Sequence, residues 1–367
     1  MSVTNIVITG GPCAGKSTGL SRIEQELTNR GYKVYVVAET ATENILGGIK
    51  PSEVSLINFQ KSIMEIQLNK EKVYREQAEI YSKEKNKNCV ILYDRGTLDG
   101  RSFMTEKEFQ NLLVIEGKTK TELRDAYDGV FHLVTAANGA EEFYTLSNNK
   151  ARSETIEQAC KIDKKCIKAW TGHPHFRVID NSTNFERKMD KLMNEIYSLL
   201  GEPIPTEIER KYLISMPNIK ELIKNYAVMK VNIIQTYLNS TSEDVERRIR
   251  QRGTVGEYSY YYTEKRGSGL SRVEVEKKIN EKQYLDYMME ADTSLKQIRK
   301  ERYCFIYKNN YIELDVYPFW KDYAIVEVEL SNESDKVELP MELNVIREVT
   351  EEKQFKNHSL AKNTDII

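Results

Sequence analysis

A glycine-rich stretch near the start of the chain has the residue types that bind phosphate groups. The nine residues Gly-Gly-Pro-Cys-Ala-Gly-Lys-Ser-Thr match the pattern G-x-x-x-x-G-K-[ST] without a mismatch. Glycines let successive backbone N–H groups point at a phosphate, Lys16 adds a mobile positive charge, and Ser17 adds a hydroxyl ligand for Mg²⁺. The stretch predicts a nucleoside triphosphate site formed by Gly10, Gly11, Gly15, Lys16, Ser17 and Thr18.

Two carboxylates follow predicted strands, where an α/β sheet places its chemistry. Asp94 follows the strand at residues 89–93, and it would bind Mg²⁺ through water or orient an acceptor molecule. Glu39 follows the strand at residues 34–38, and it would act as a base toward an acceptor hydroxyl or hold that acceptor by hydrogen bonds. Each carboxylate also has a simpler interpretation, as a capping or solvated acid at the end of a strand.

Strands and helices alternate around these residues. Apolar residues such as Leu20, Ile23 and Leu27 recur at helical spacing. The alternation predicts an α/β P-loop domain with a parallel sheet and helices on both faces. Its strands are predicted at residues 3–9, 34–38, 89–93, 130–134 and 176–179, and further helices at 62–85 and 184–200.

The pattern changes near residues 201–205, where a glycine and two prolines end the last helix and indicate a linker. Short segments with period-two alternation follow, as is typical of antiparallel strands. We therefore expect a first domain at residues 1–202 and a second at 206–350. The polar stretch 351–367 is expected to pack loosely or fray.

Charged residues of the second domain recur at alternate positions, which places them on one face of each strand. Apolar residues such as Val326 and Val328 occupy the opposite face. An open sheet with a solvated face would explain one or two such strands, but seven segments bearing both signs predict a closed barrel with a charged lumen. The segments contain Glu207, Glu209 and Lys211; Arg248 and Arg250, continued by Arg252; Thr263 and Lys265; Arg272, Glu274 and Glu276; Lys300 and Arg302; Glu313 and Asp315; Glu327 and Glu329.

The first domain resembles the P-loop kinases of nucleosides and small metabolites, especially the nicotinamide riboside kinase branch, in the pair Asp94 and Arg95 after the third strand. The resemblance implies that Arg95 serves the active site and that Arg152, in a basic lid, clamps the transferred phosphoryl group. A surface arginine at the start of a solvated helix is the alternative for Arg152. Neither ATP nor GTP is singled out as the nucleotide.

The second domain resembles the CYTH superfamily of triphosphate tunnel metalloenzymes, whose first strand carries E-x-E-x-K. The resemblance implies an α+β domain with an eight-stranded antiparallel tunnel barrel and Mg²⁺ or Mn²⁺ as cofactor. It assigns the metals to Glu207, Glu209, Asp315, Glu327 and Glu329. It assigns phosphate contacts to Lys211, Arg248, Arg250, Lys265, Lys300 and Arg302, with Arg272 as a further candidate.

The domain order resembles the family of the insect TRP-channel translocation defect protein, which implies binding of GTP and a peripheral contact with phosphoinositides. The leading hypothesis is a nucleotide-binding, kinase-like domain fused to a tunnel that hydrolyses a triphosphate. The alternative is a nucleotide-regulated protein whose tunnel holds a phosphorylated ligand without turnover. A nucleotidyl cyclase is a third hypothesis.

Composition limits the other partners. A net charge of −2 and a pI of about 6.2 give no overall basic field for nucleic acid. No apolar run is long enough for a membrane span. The five cysteines are scattered without metal-type spacing, which is typical of free thiols in a reducing cytoplasm. We therefore expect a cytoplasmic protein without a nucleic-acid partner.

Overall fold

A computed structural model describes residues 2–144, 155–202, 208–240, 242, 245–266, 273–308, 310–330 and 337–364. The chain divides into two compact units, Met1–Leu199 and Leu200–Ile367. Within the described ranges, no helix is both long enough and apolar enough to cross a bilayer.

The first unit contains a parallel sheet, as the alternation of elements predicts. Its strands are β1 (Val3–Gly10), β2 (Lys33–Val37), β3 (Cys89–Asp94), β4 (Gly129–Leu133) and β5 (Phe176–Ile179). They pair in parallel in the order β2-β3-β1-β4-β5. Ile6 and Ile8 are fully buried, as expected where helices cover both faces of a parallel sheet. The order places the ends of β3 and β4 beside the end of β1.

Helices connect these strands, and their buried residues follow the predicted spacing. Helix α1 buries Leu20, Ile23 and Leu27. The bounds are α1 (Lys16–Asn29), α2 (Thr40–Leu46), α3 (Leu56–Lys85), α4 (Glu106–Glu116), α5 (Lys120–Arg124), α6 (Ile156–Trp170) and α7 (Phe185–Leu199). Helix α3 begins six residues before the predicted start at residue 62, because the Ser55 side chain accepts a hydrogen bond from the Asn58 N–H and caps the helix there.

The second unit contains an antiparallel sheet of nine strands in a CYTH-like tunnel domain. The strands are β6 (Ile208–Ser215), β7 (Met229–Leu238), β8 (Val245–Thr254), β9 (Glu257–Arg266), β10 (Val273–Ile279), β11 (Ile298–Tyr307), β12 (Asn310–Val316), β13 (Tyr323–Leu330) and β14 (Val345–Glu348). Their order is β10-β9-β8-β7-β11-β12-β13-β6-β14. The predicted number was eight. The ninth strand, β14, is short and exposed along its length, so its sequence lacks the alternation that marks the others.

The two faces of this sheet differ as the alternation predicts. Ile312, Leu314, Val326 and Val328 are fully buried in one apolar cluster. Helix α8 (Ile219–Asn225) adds Leu222 to that cluster, and helix α9 (Glu281–Met288) packs Tyr284 near Ile249 in another. The charged residues that alternate with these apolar ones therefore lie on the opposite face, which lines the tunnel.

The segment after Thr350 differs from the loose packing predicted for residues 351–367. It forms helix α10 (Asn357–Lys362), and Phe355 and Leu360 are almost completely buried. Their cluster includes Leu213 and Ile298, which share a strand face with Lys211 and Lys300. The C-terminal segment therefore covers the tunnel-lining face at one end, because a few apolar residues anchor an otherwise polar sequence.

Candidate phosphate-binding sites

The glycine-rich turn connects β1 to α1 with a backbone that requires glycine. Gly10 and Gly15 have φ angles of 150° and 89°. A Cβ at Gly10 would lie 2.2 Å from the Leu133 carbonyl oxygen. The turn therefore lies tightly against the end of β4 and leads directly into the N-terminus of a 14-residue helix, an arrangement that favours phosphate binding.

Lys16 begins helix α1 and retains partial exposure. Its Nζ donates a long hydrogen bond of 3.5 Å to the Gly11 carbonyl oxygen. Burial lowers the pKa of Lys16 to about 8; Arg95 also lowers it, while Asp94 and Glu39 oppose that change. Ser17 and Thr18 are exposed next to it. The cation and hydroxyl groups predicted to contact a triphosphate are therefore accessible at the helix start.

Asp94 lies beside this turn because β3 pairs with β1 and places Asp94 opposite Ile8. Its Oδ1 is buried and has no hydrogen-bond partner within the described ranges. Burial raises the pKa of Asp94, and Lys16 is the largest opposing influence. A buried carboxylate oxygen without a partner is costly unless a ligand satisfies it.

These observations fit a divalent cation at the P-loop. Ser17 and Asp94 both offer hard oxygen donors, which Mg²⁺ prefers. They would hold the ion, and a bound ion would neutralise phosphate charge there.

Arg95 and Glu39 form an ion pair between the ends of adjacent strands. Arg95 Nε donates to Glu39 Oε1 at 2.6 Å, and Arg95 Nη1 lies 3.4 Å from Asp99 Oδ1. Burial opposes ionisation of Glu39, but Arg95 and other neighbours hold its pKa below the ordinary value. Asp99 also accepts hydrogen bonds from Thr9 and from Trp170 Nε1. The Arg95 guanidinium is therefore fixed beside Lys16 by two carboxylates.

Two residues that sequence reasoning missed hold the P-loop in place. Asp163 of α6 accepts hydrogen bonds from the backbone N–H groups of Gly11, at 2.9 Å, and Thr135, at 3.1 Å. Lys188 of α7 donates to the carbonyl oxygens of Ala14, at 3.2 Å, and Val134, at 2.7 Å. Both side chains come from distant parts of the chain, so no local motif marks them.

The strand register brings most of the predicted tunnel residues onto one face. Glu209 lies opposite Glu329, and Lys211 lies opposite Glu327. Glu327 also lies opposite Glu313, and Asp315 lies opposite Arg302. On the neighbouring strands β8 and β9, Lys265 lies opposite Glu246. Glu246 was not predicted, although it precedes Arg248 at the same two-residue spacing.

Arg302 is the centre of the acidic wall formed by β6, β11, β12 and β13. Its Nε and Nη2 donate to the two oxygens of Asp315 at 2.7 and 2.6 Å, and Nη2 also contacts Glu327 at 2.6 Å. Glu313 accepts a further hydrogen bond from Arg302. Burial would lower the pKa of Arg302, but these three carboxylates raise it well above its ordinary value.

Two lysines complete the neutralisation of this wall. Lys211 Nζ lies 2.7 Å from Glu327 and 3.1 Å from Glu209, and Lys300 donates to Asp315. Burial opposes ionisation of Glu327, but Lys211, Lys300 and Arg302 hold its pKa well below the ordinary value. Burial and Arg302 lower the pKa of Lys300, which Asp315 only partly opposes.

The opposite wall, formed by β8, β9 and β10, has widely spaced ion pairs. Arg250 Nη2 lies 3.5 Å from Glu276, and Arg248 Nη1 lies 4.0 Å from Glu246. Burial lowers the pKa of Arg250, Glu276 opposes this, and Arg248 adds to it. An anion placed on this wall would relieve the repulsion between its guanidinium groups.

Three predicted site residues, Arg152, Glu207 and Arg272, lie outside the described residues. Within the described part of the chain, no group of three or more His, Cys, Asp or Glu side chains is arranged to hold a metal ion. Asp315 and Glu327, predicted as metal ligands, are instead paired with cations. Glu209 and Glu329 face each other without such an arrangement, so the described tunnel residues alone do not make a complete metal site.

The fold and the two sites define a nucleotide-binding P-loop domain of kinase-like type joined to a CYTH-type tunnel domain. The family model described as AAA domain matches residues 5–188, half of the chain, and the chain belongs to that family. The model described as CYTH domain matches residues 205–362. No curated protein matches the chain.

Two solved structures illustrate the likeness of the second unit. The inorganic triphosphatase NE1496 is 29% identical, over 43% of this chain and 96% of that one, with a TM-score of 0.32. The PH1819 protein from Pyrococcus horikoshii OT3 is 17% identical, over 34% of this chain and 80% of that one, with a TM-score of 0.27.

Proposed function

We propose that the first unit binds ATP or GTP with Mg²⁺ and transfers the γ-phosphoryl group to a small acceptor. The observation that carries this proposal is the position of Lys16, Ser17 and Asp94 at the same edge of the sheet, where Asp94 Oδ1 has no hydrogen-bond partner among the described residues. Lys16 would hold the β- and γ-phosphates, and Ser17 and Asp94 would hold the ion. Arg152 would clamp the transferred group from the lid.

The surroundings of Glu39 favour its predicted role in holding the acceptor over its predicted role as a base. Its ion pair with Arg95 and its lowered pKa make it a weak proton acceptor. We propose that Glu39 and Arg95 hold the acceptor by hydrogen bonds.

This phosphotransferase proposal is tested by transfer of labelled γ-phosphate to a pool of small metabolites. Wild-type protein should label an acceptor, and Lys16→Ala should not. Lys85→Ala, an exposed lysine at the end of α3, is the matched control and should behave as wild type. Failure of wild-type protein to label any acceptor would remove the kinase activity from the proposal.

For the second unit we propose hydrolysis of a triphosphate in the tunnel. Arg248, Arg250 and Lys265 line the wall where Arg250 lies 3.5 Å from Glu276 and Arg248 lies 4.0 Å from Glu246, and they would bind the phosphate chain. Lys211, Lys300 and Arg302 would contact it from the other wall. Mg²⁺ or Mn²⁺ would be held by Glu209 and Glu329 together with Glu207, with Asp315 and Glu327 exchanging their cation partners for the ion.

One observation favours the alternative, a tunnel that binds a phosphorylated ligand without turnover. Asp315, Glu313 and Glu327 are neutralised by Lys211, Lys300 and Arg302, so these acids are already satisfied without metal. A phosphoinositide headgroup is the ligand implied by the resemblance to the TRP-channel translocation defect family.

A single series of assays distinguishes triphosphate hydrolysis in the tunnel from ligand binding without turnover. Purified protein is incubated with inorganic triphosphate, thiamine triphosphate and nucleoside triphosphates in the presence of Mg²⁺ or Mn²⁺, and phosphate release is measured. Binding of a soluble inositol phosphate is measured on the same preparation. Metal-dependent release supports hydrolysis, whereas tight headgroup binding without release of phosphate from any substrate supports the alternative.

A further inference from the structure

The third arginine of β8, Arg252, has surroundings unlike those of Arg248 and Arg250. It shares their strand face because it continues their two-residue spacing, and it lies opposite Ile233 on one side and Ser259 on the other. Only 2% of its surface is exposed. No charged residue is therefore directly across from it on either neighbouring strand.

Among the residues that the structure describes, Arg252 makes no ion pair like those of its neighbours. Within the described ranges, no carboxylate lies within 4.0 Å of its guanidinium, whereas Arg250 has Glu276 and Arg248 has Glu246. Its Nη1 is buried without a hydrogen-bond partner among the same residues. A buried, always-charged guanidinium in this state costs free energy, and an anionic ligand would offset that cost.

Arg252 lies on the same strand face as Arg248 and Arg250, and it is close enough to β11 and β12 to influence two groups there. Burial raises the pKa of the Cys304 thiol to about 11, and Arg252 is close enough to counter part of this effect. Burial also raises the pKa of Tyr311, and Arg252 again opposes the change. Cys304 and Tyr311 lie on the tunnel-lining face of β11 and β12. Arg252 therefore reaches into the same lumen as Arg250.

We propose that Arg252, with the Ser259 hydroxyl opposite it, forms an additional anion subsite at the end of the arginine row. Alternate residues of a strand are roughly 7 Å apart, so the row from Arg248 to Arg252 extends over about 13 Å. The subsite would take a further phosphate of a linear chain beyond those that Arg248 and Arg250 contact. The substrate class is then a linear phosphate chain with more than three anionic groups, supplied as free oligophosphate or as a nucleoside polyphosphate.

This inference rests on the proposal that the tunnel binds phosphate chains, and the test separates the two. The two-domain protein carrying Lys16→Ala is used as the parent, so that the P-loop does not contribute. Its affinities for inorganic diphosphate, triphosphate and tetraphosphate and for adenosine 5′-tetraphosphate are measured by calorimetry. The same titrations are made with Arg252→Gln, Arg252→Lys and the control Arg299→Gln, an exposed arginine on β11.

The effect of Arg252→Gln on affinity should depend on the number of phosphates in the ligand. Arg252→Gln should weaken tetraphosphate binding on the order of tenfold and leave diphosphate binding unchanged, since one charge-assisted contact is removed. Arg252→Lys should retain part of the parent's affinity for tetraphosphate that Arg252→Gln loses, and Arg299→Gln should retain all of it. If Arg252→Gln weakens binding of tetraphosphate and of adenosine tetraphosphate equally, the subsite recognises the phosphate chain alone. If it weakens binding of only one of them, that one identifies the ligand class, free oligophosphate or nucleoside polyphosphate.

Thermal unfolding gives a second measurement that does not depend on ligand. Arg252→Gln should melt at the same temperature as the parent or higher, because a buried unpaired charge is removed. An equal loss of affinity at all chain lengths, or no loss for tetraphosphate, would overturn the subsite while leaving phosphate binding in the tunnel intact. Absence of binding of any phosphate chain to the parent would overturn both.

Discussion

Arg95 Nε donates to Glu39 Oε1 at 2.6 Å, which joins the residue after β3 to the second residue after β2. The pair forms because β2 and β3 are neighbours in the sheet, and it fixes a guanidinium close to Lys16. The charge at the acceptor side of the P-loop is therefore set by tertiary contacts as well as by the motif.

A double-mutant cycle of Glu39→Gln and Arg95→Met should measure this pair. We expect a coupling energy of about 0.5–3 kcal/mol, typical of contacting residues in one network. The pKa of Glu39 is lowered from its ordinary value of 4.5, so the stabilisation is present above about pH 4.5 and is lost as pH falls through the folded-state pKa. Urea unfolding of the four proteins at pH 7 and at acidic pH checks both statements. If the changes in unfolding free energy of the two single variants simply add at pH 7, Glu39 and Arg95 do not interact as proposed.

Nucleotide affinity should depend on the protonation of Lys16. Its pKa is about 8 in the ligand-free protein, and bound phosphates would raise it by favouring the ammonium form. Affinity is therefore expected to be highest below pH 8 and to fall as pH rises above it. Titration of a fluorescent nucleotide between pH 7 and pH 10 measures this. Arginine remains charged over this range, so any nucleotide affinity that Lys16→Arg retains should not fall as the pH rises. The same fall in affinity in that variant would show that another group titrates.

Removal of the Arg302 guanidinium should destabilise the second unit strongly. Arg302→Met would leave Glu313, Asp315 and Glu327 without their shared cation. Breaking a buried pair in this way costs about 3–5 kcal/mol. Arg299→Met on the same strand is exposed and should cost little. Chemical denaturation compares the two, and similar stability of both variants would mean that water replaces the arginine in the tunnel.

The C-terminal segment should contribute to the stability of the second unit through Leu360. This side chain is fully buried against the cluster that includes Leu213 and Ile298. Leu360→Ala should cost about 2–5 kcal/mol, as expected for a buried leucine. Leu285→Ala is the matched control, since 59% of Leu285 is exposed. A loss of less than 1 kcal/mol for Leu360→Ala would show that the segment packs loosely, as its composition suggests.

Local patterns predicted the fold class and the position of the P-loop. Gly10–Thr18 is contiguous, and the strand alternation around Glu209 or Arg250 is visible without knowing the neighbouring strand. Helices α4, α5 and α6 were not predicted, although Thr105, Thr119 and Thr155 begin capping boxes that mark their starts.

Contacts between distant segments could not be predicted in the same way. Asp163 and Lys188 hold the P-loop from α6 and α7, and their positions depend on the packing of these helices. The neutralisation of Asp315 and Glu327 by Arg302 depends on strand register across three strands. Phe355 and Leu360 were overlooked because the average composition of residues 351–367 is polar, whereas burial is decided by individual side chains.

We propose that the chain has two separate sites for phosphate groups, one in each unit. The most direct test measures metal-dependent phosphate release from inorganic triphosphate by wild type, Lys16→Ala, Glu209→Ala and the outer-face control Glu301→Ala. Release should be lost in Glu209→Ala alone, while nucleotide binding should be lost in Lys16→Ala alone. Loss of triphosphate hydrolysis in Lys16→Ala with full activity in Glu209→Ala would contradict the account, because it would place the hydrolysis at the P-loop.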